Sequence, residues 1–300
     1  MNKSLEKYIP NWIKSILWKY KQHKLKIKII KYLENLPASN MTEEKKEILT
    51  YLKHNNISYF PCNFVEKYHS VNIVVYKDEN NGMNYVLHDG KCLYFKRGWT
   101  EDEIRQYYVG LLVEQDLASP HRYETSDFKV EQGDIVVDAG VAEGNFALSV
   151  VDRAKKLYLF EPDSEWVEPL LLTFAPFKEK VTIEHSYISA KSNGTTEISL
   201  DDYFGDKKID FIKADIEGAE PLLLEGAKRI MEKDSPKIAI CTYHRQDDAE
   251  NCKKILESSG YGVIFSNGYM LHLVDNLMPP YIRKCLIRAQ KLRNEKNIIC

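Results

Sequence analysis

The sequence predicts an α/β fold: a mostly parallel sheet with helices on both faces, a closing antiparallel hairpin, and a smaller α+β region in front. Three observations predict it. Between residues 135 and 259, short apolar runs alternate with helical patterns, the order that parallel strands joined by crossover helices require. Ile135-Val136-Val137 runs into Asp138-Ala139-Gly140, with Gly144 four residues later, so a buried strand feeds a tight turn and then a helix. Residues 261–265, then Ser266-Asn267-Gly268, then residues 269–274 read as two strands about a turn. A parallel sheet finished by such a hairpin is unlike a plain dinucleotide-binding domain.

The front region, residues 1–119, opens with helices over 8–36 and 42–55, the second started by Thr42 ahead of Glu43 and Glu44. Strands over 72–76, 84–88 and 91–95 form a small meander, with Asn80-Asn81-Gly82 and Asp89-Gly90 as its turns. Thr100-Glu101-Asp102-Glu103 has the capping-box pattern and begins a helix over 100–117. This region is expected to act as a cover or to form oligomers. The α/β domain, residues 120–278, has strands at 135–139, 157–161, 181–185, 209–215 and 236–243. Its helices fall at 144–154, 163–175, 219–232 and 246–259. Residues 279–300 read as a basic tail.

A chain of 300 residues can bury a sizeable core, and 44% hydrophobic with 29% charged residues is a globular balance. Cys62, Cys92, Cys241, Cys252, Cys285 and Cys300 lack metal-ligand spacing, which suits a reducing compartment and speaks against a disulfide scaffold or a zinc site. Residues 12–36 are studded with lysine, so neither a signal peptide nor a spanning helix is visible there, and a cytoplasmic protein is expected. The net charge of −2 conceals an asymmetry: +7 over residues 1–36, +5 over 279–300 and −14 between. Basic ends can touch anionic lipid or an acidic partner, whereas an acidic middle argues against general nucleic-acid binding.

The turn at Gly140 leaves free N–H groups at the following helix start, where an anionic or carboxylate-bearing ligand can sit. The second strand ends at Glu161-Pro162-Asp163, with Glu161 21 positions after Gly140. A carboxylate there can accept from two ribose hydroxyls, because it only accepts and they donate. Two cofactors fit this pattern, a dinucleotide and S-adenosylmethionine. The dinucleotide fingerprint wants Gly-x-Gly-x-x-Gly, but Ala142 stands two beyond Gly140 and no glycine clears a pyrophosphate. A cofactor without phosphate needs none.

A second signature follows: Lys213-Ala214-Asp215-Ile216-Glu217-Gly218-Ala219-Glu220, preceded by Ser199-Leu200-Asp201-Asp202-Tyr203-Phe204. Together with the Asp138 turn and Phe160-Glu161-Pro162, it resembles the FkbM-type methyltransferases over roughly residues 120–275. The resemblance implies a Rossmann-like class I methyltransferase fold, S-adenosylmethionine as cofactor, and O-methylation, often of a sugar or polyketide hydroxyl. It implies that Asp138, Gly140 and Gly144 shape the methionine pocket, that Glu161 holds the ribose and that Ser189 contacts the adenine. Where the family turn commonly reads Gly-Ala-Asn-x-Gly, Ala142 replaces the asparagine, so its polar contact is lost or passes to Glu143 or Asn145.

Asp215 and Glu217 lie at the carboxyl end of a strand, the edge at which open α/β sheets bind ligands. They are read as contacts to cofactor amine and substrate hydroxyls, as ligands of a divalent cation, or as carboxylates favouring a helix start. His244 follows the fifth strand at the same edge and is the candidate general base, alongside Asp215 as the second catalytic residue. Tyr123 and Arg245 are candidate substrate contacts, the arginine suited to a sugar nucleotide. The resulting expectation is methyl transfer to a sugar hydroxyl of a nucleotide sugar or glycan precursor, within surface-polysaccharide synthesis. A homo-oligomer and peripheral membrane contact through the basic ends are further expectations. The rivals are a nicotinamide-dependent oxidoreductase and a non-catalytic adapter of the same fold.

Overall fold

The computed structural model describes residues 11–273 and 277–292. The expected helix start at 8–10, residue 274 of the expected hairpin and residues 293–300 of the expected tail lie outside them. The described residues form two compact units, one of residues 11–66 with 268–273 and 277–283, the other of 67–267 with 284–292. These divisions differ from boundaries at 119 and 278.

In the first unit α1 (Asn11–Glu34) packs on α2 (Glu43–His54), which Thr42 caps by accepting from the Lys45 N–H. Ile29 and Leu33 meet a core that includes Ile48, Leu52 and Phe60. Residues 268–283 join this unit: the Leu271 N–H donates to Tyr59, Met270 bridges Arg283, and Tyr281 packs edge-on against Tyr32.

The second unit opens with a meander of β1 (Tyr76–Lys77), β2 (Asn84–His88) and β3 (Lys91–Tyr94). Its first strand is shorter than the expected 72–76 and starts later. Asp89 and Gly90 both take positive φ, the conformation a two-residue hairpin turn of this hand demands. Helix α3 (Glu101–Glu114) begins at Thr100 with a full capping box.

Then come β4 (Ile135–Ala139), α4 (Asn145–Val150), β5 (Lys156–Phe160), α5 (Val167–Thr173), β6 (Val181–Glu184) and a short pair β7 (Tyr187–Ile188) and β8 (Glu197–Ile198). They are followed by α6 (Leu200–Phe204), β9 (Phe211–Ala214), α7 (Glu220–Glu225), α8 (Lys228–Lys233), β10 (Lys237–Cys241), α9 (Asp248–Ser258), β11 (Tyr261–Phe265) and β12 (Leu286–Lys291). The single helix expected over 219–232 is broken in two at Gly226, where an added Cβ would stand 2.3 Å from the Ser189 carbonyl oxygen.

The main sheet has the order β11-β12-β10-β9-β4-β5-β6. Strands β10, β9, β4, β5 and β6 are parallel, and β12 runs antiparallel between β10 and β11. The fold class is the one expected, but the closing hairpin is built differently. The partner of β11 is Leu286–Lys291, inside the stretch read as a basic tail; residues 269–273 instead lie in the first unit. Leu286, Ile287 and Ala289 are buried, while Arg288 donates to the Tyr123 and Arg122 carbonyls. Its charged residues hide a strand that the apolar run after Asn267 imitates.

The turns after β4 and β9 touch. Gly140 has φ +74°, and a Cβ on it would lie 1.8 Å from the Asp215 carbonyl oxygen. Gly140→Ala should therefore destabilise the chain by about 2–4 kcal/mol, combining a left-handed backbone with a backbone collision. Urea unfolding of the variant against the parent chain measures this.

Candidate functional site

The site lies at the carboxyl ends of β4, β5, β9 and β10, where hydrogen bonds of the sheet continue into the loops. The Asp215 N–H donates to the Ala139 carbonyl and the Gly140 N–H to the Phe160 carbonyl. Beyond Gly140 the chain keeps positive φ at Ala142 and Gly144. The Ala142 N–H donates to Glu161 Oε2 and the Asp163 N–H to Glu161 Oε1, each at 2.8 Å. Buried Glu161 thus pins the turn after β4 to the turn after β5, and each of its oxygens retains a lone pair. The two glycines clear neighbouring protein: Gly140 faces the β9 turn, and a Cβ on Gly144 would meet Phe174 and Leu170 at 2.8 and 3.0 Å.

Asp138 does not reach the turn directly. Its Oδ1 pairs with Lys213 Nζ at 2.9 Å, and the same ammonium donates to the Gly140 carbonyl at 2.6 Å. Burial would strip Lys213 of its proton, but Asp138 and Asp215 hold it above its ordinary range. Breaking such a buried pair by removing one partner costs on the order of 3–5 kcal/mol.

Asp215 is the centre of the site. Its Oδ2 accepts from the Tyr123 hydroxyl at 3.1 Å and lies 3.3 Å from His121 Nε2. Its Oδ1 accepts from the Tyr243 hydroxyl at 3.0 Å and lies 3.3 Å from His244 Nε2. Burial would raise this carboxyl, but the bond from His121 and the charges of His121, His244 and Lys213 outweigh it and hold it far below the carboxylate range. Four donors occupy the four lone-pair positions, so Asp215 is committed to the protein. The other nitrogen of His244, Nδ1, lies 2.9 Å from Oε1 of fully buried Glu220, which also accepts from the Ile216 N–H. Burial lowers the His244 pKa, but Glu220, Asp215 and Glu217 outweigh it and raise it. These carboxylates favour the charged form of the ring, which lies between Asp215 and Glu220. The general-base role expected of it would require one of these nitrogens to give up its carboxylate contact.

Glu217 is the contrast. It sits two residues after Asp215 at φ +56°, with its side chain 88% exposed against 19% for Asp215. Its Oε2 lies 3.7 Å from His244 Nε2. A left-handed non-glycine residue costs about 1 kcal/mol or more and tends to mark working parts of a chain. Arg245, exposed, lays its side chain over Gly218.

Glu143 closes the other side. It is buried, accepts from the Tyr107 hydroxyl at 2.7 Å and is pushed up to about 7, chiefly by burial. Tyr107 belongs to an aromatic group with Phe95, Trp99 and Trp166. Among the described residues neither Glu143, Glu161 nor half-buried Glu114 forms an ion pair. Asn145 uses its side-chain oxygen on the Phe146 N–H.

The structure therefore gathers Asp138, Gly140, Glu143, Gly144, Asn145, Glu161, Asp215, Glu217 and His244 at one edge. Tyr123, expected against substrate, is buried with its hydroxyl on Asp215. The Ser189 N–H is engaged with the Ile198 carbonyl. For a cation, the donor sets that come together are Asp215, Glu220 and His244, and His121, Asp215 and Cys241; Glu217 is in neither. Sequence reasoning gave no role to His121, Tyr243, Tyr107, Lys213 or Glu220. The last two stand inside the Lys-x-Asp-x-Glu-Gly-x-Glu signature, which was the available signal.

A parallel sheet of this order, with its one antiparallel strand inserted next to the edge, is the class I methyltransferase architecture. Residues 30–271 match the methyltransferase FkbM domain, and the chain belongs to that family. No curated protein sequence matches. Among solved structures, it is similar to the methyltransferase FkbM from Methylobacillus flagellatus, with 22% identity and a TM-score of 0.44 over 63% of this chain and 55% of that one. The chain thus spans about half the length of that protein. It is also similar to Aeropyrum pernix fibrillarin, solved with natively bound S-adenosyl-L-methionine (15% identity, TM-score 0.37, 73% of this chain and 99% of that one). A third likeness is to the precorrin-6y C5,15-methyltransferase from Geobacter metallireducens (14% identity, TM-score 0.39, 56% of this chain and 84% of that one).

Glu143 gives a pH signature. Its folded pKa of about 7 stands above its ordinary value of 4.5, so the folded chain holds a proton that the unfolded chain has released between them. That contribution is complete below pH 4.5 and disappears as pH rises through 7. His121 and His244, also raised, contribute in the same direction, each losing its share as pH rises through its folded pKa. Glu143→Gln should abolish a fall in unfolding free energy of about 3 kcal/mol between pH 4.5 and 7. Urea titrations of both chains at the two pH values check this.

Proposed function

We propose that this protein is an S-adenosylmethionine-dependent O-methyltransferase acting on a sugar hydroxyl, in a nucleotide sugar or another glycan precursor, within surface-polysaccharide synthesis in the cytoplasm. The family supports the methyl transfer, and the resemblance of the Asp138 and Lys213 signatures to enzymes that often methylate a sugar or polyketide hydroxyl supports the acceptor class. One observation carries the cofactor: a turn pinned by a buried carboxylate, Glu161, stands beside a second buried carboxylate, Glu143, that has no cation. A ligand bearing both a sulfonium and an ammonium supplies that missing charge, and adenosine supplies the hydroxyls that Glu161 can accept from.

When bound, the cofactor supplies a methyl group on a positively charged sulfur, which leaves as a neutral thioether after in-line attack. The chain's own residues align and desolvate the partners. Glu161 fixes the two turns against each other. Lys213, through Asp138 and the Gly140 carbonyl, fixes the first of them to β9. Asp215, locked by His121, His244, Tyr123 and Tyr243, sets the path of the backbone into Glu217. Exposed Glu217 is the carboxylate that receives the acceptor hydroxyl and takes its proton as the new O–CH3 bond forms. A strong base is not required, since a hydroxyl becomes strongly acidic as it gains the methyl group. No step requires a cation.

S-adenosylhomocysteine should raise the unfolding temperature of the chain and NAD should not; a shift with NAD alone would replace this reading with an oxidoreductase. Glu161→Ala should weaken S-adenosylhomocysteine binding at least tenfold by calorimetry, about the worth of one charge-assisted hydrogen bond.

With an acceptor found by screening nucleotide sugars for a mass gain of one methyl group, Glu217→Gln should lower kcat by roughly 10²-fold and leave S-adenosylhomocysteine affinity unchanged. Equal loss of both would assign Glu217 to the cofactor.

A further inference from the structure

Helix α1 presents two unlike stripes. Leu25, Ile29 and Leu33 follow one another at helical spacing on the face that packs inward; Ile29 and Leu33 are fully buried. Tyr20, Lys24, Ile27 and Lys31 follow one another at the same spacing on a different face, flanked by Lys21 and Lys28, and all six are exposed. Tyr20 is 56% and Ile27 40% exposed, and the Lys24 ammonium lies 4.7 Å from the Tyr20 ring centre. The helix carries seven lysines and one acidic residue, Glu34, which is engaged by Lys53 of α2 at 2.7 Å. Among the described residues, no carboxylate pairs with the lysines of the outer face. Near the helix start, Trp18 continues the inward stripe but is 60% exposed.

From this we infer that α1 docks the protein on an anionic membrane surface through its Tyr20–Lys24–Ile27–Lys31 face. The charge is complementary to phosphate headgroups, and each lysine near such a surface contributes enough for about fivefold in partitioning. What selects a lipid surface over a nucleic acid is the spacing of Tyr20 and Ile27 among the lysines. An aromatic ring and an aliphatic chain gain from the boundary between headgroups and acyl chains, whereas a phosphodiester backbone offers Ile27 nothing. No helix among the described residues is long and apolar enough to cross a membrane, so α1 offers a contact along its side, about 36 Å long at 1.5 Å per residue.

Flotation of the full chain with vesicles tests this. It should float with phosphatidylcholine mixed with phosphatidylglycerol and not with phosphatidylcholine alone. Binding should vanish at about 1 M salt, where screening shortens to about 3 Å. Replacing Lys21, Lys24 and Lys28 together by Gln should weaken partitioning roughly hundredfold, with thermal unfolding unchanged because all three are exposed; Lys24→Gln alone should weaken it about fivefold. Ile27→Ser should weaken vesicle binding and leave any binding to a DNA duplex untouched. The proposal is overturned if both vesicle types bind alike, if the triple variant still floats, or if a duplex of equal phosphate concentration binds more tightly. It is also overturned if light scattering shows that the triple variant changes the oligomeric state, which would make this face a contact between copies of the chain.

Discussion

A carboxylate surrounded by four donors cannot give up its charge without orphaning them, and Asp215 is held in that way by Tyr123, Tyr243, His121 and His244. The donors come from two stretches: the loop after α3 supplies His121 and Tyr123, and the loop after β10 supplies Tyr243 and His244. Asp215 also sits at the end of β9, in backbone register with β4. Through its side chain and its backbone N–H, Asp215 thereby ties the ends of β4, β9 and β10 to the loop after α3. The rest of the site follows from those ties, including the close approach of Gly140 and the strained exit through Glu217.

Charge is distributed along this edge with a purpose that burial makes clear. Lys213 and the two histidines compensate Asp138, Asp215 and Glu220, while Glu143 is left buried beside Tyr107 without a cation. A buried carboxylate without a counter-charge either takes up a proton or waits for a cationic ligand. Glu143 therefore contributes stability at low pH that is lost as pH rises through about 7. His244 shows the reverse situation, a ring with Asp215, Glu217 and Glu220 all within 4 Å of its nitrogens.

Much of the α/β core was legible before any coordinates. The strand at 135–139, the one expected over 181–185 and found at Val181–Glu184, the capped helices after Thr42 and Thr100, and the Asp89-Gly90 turn follow from apolar runs and local backbone chemistry alone. The closing strand was not. Leu286–Lys291 carries Arg288 and Lys291 and reads as a solvated tail, yet it lies between β10 and β11 with Leu286, Ile287 and Ala289 buried. Strand pairing over such a separation is set by which edge remains open after the other strands have paired, and no local pattern records that.

For the site, the sequence by itself determined the residue types at the strand ends and hence the family: the Asp138 turn, Glu161, and the run from Lys213 to Glu220. Only the tertiary structure decided what each one does. Asp138 became a partner for Lys213, the glycines became contacts between protein elements, and His121, distant in sequence, became a partner of Asp215. The physical reason is that a side chain's charge and hydrogen bonding depend on what burial brings within about 3 Å of it. Those neighbours are assembled from strand ends tens of residues apart.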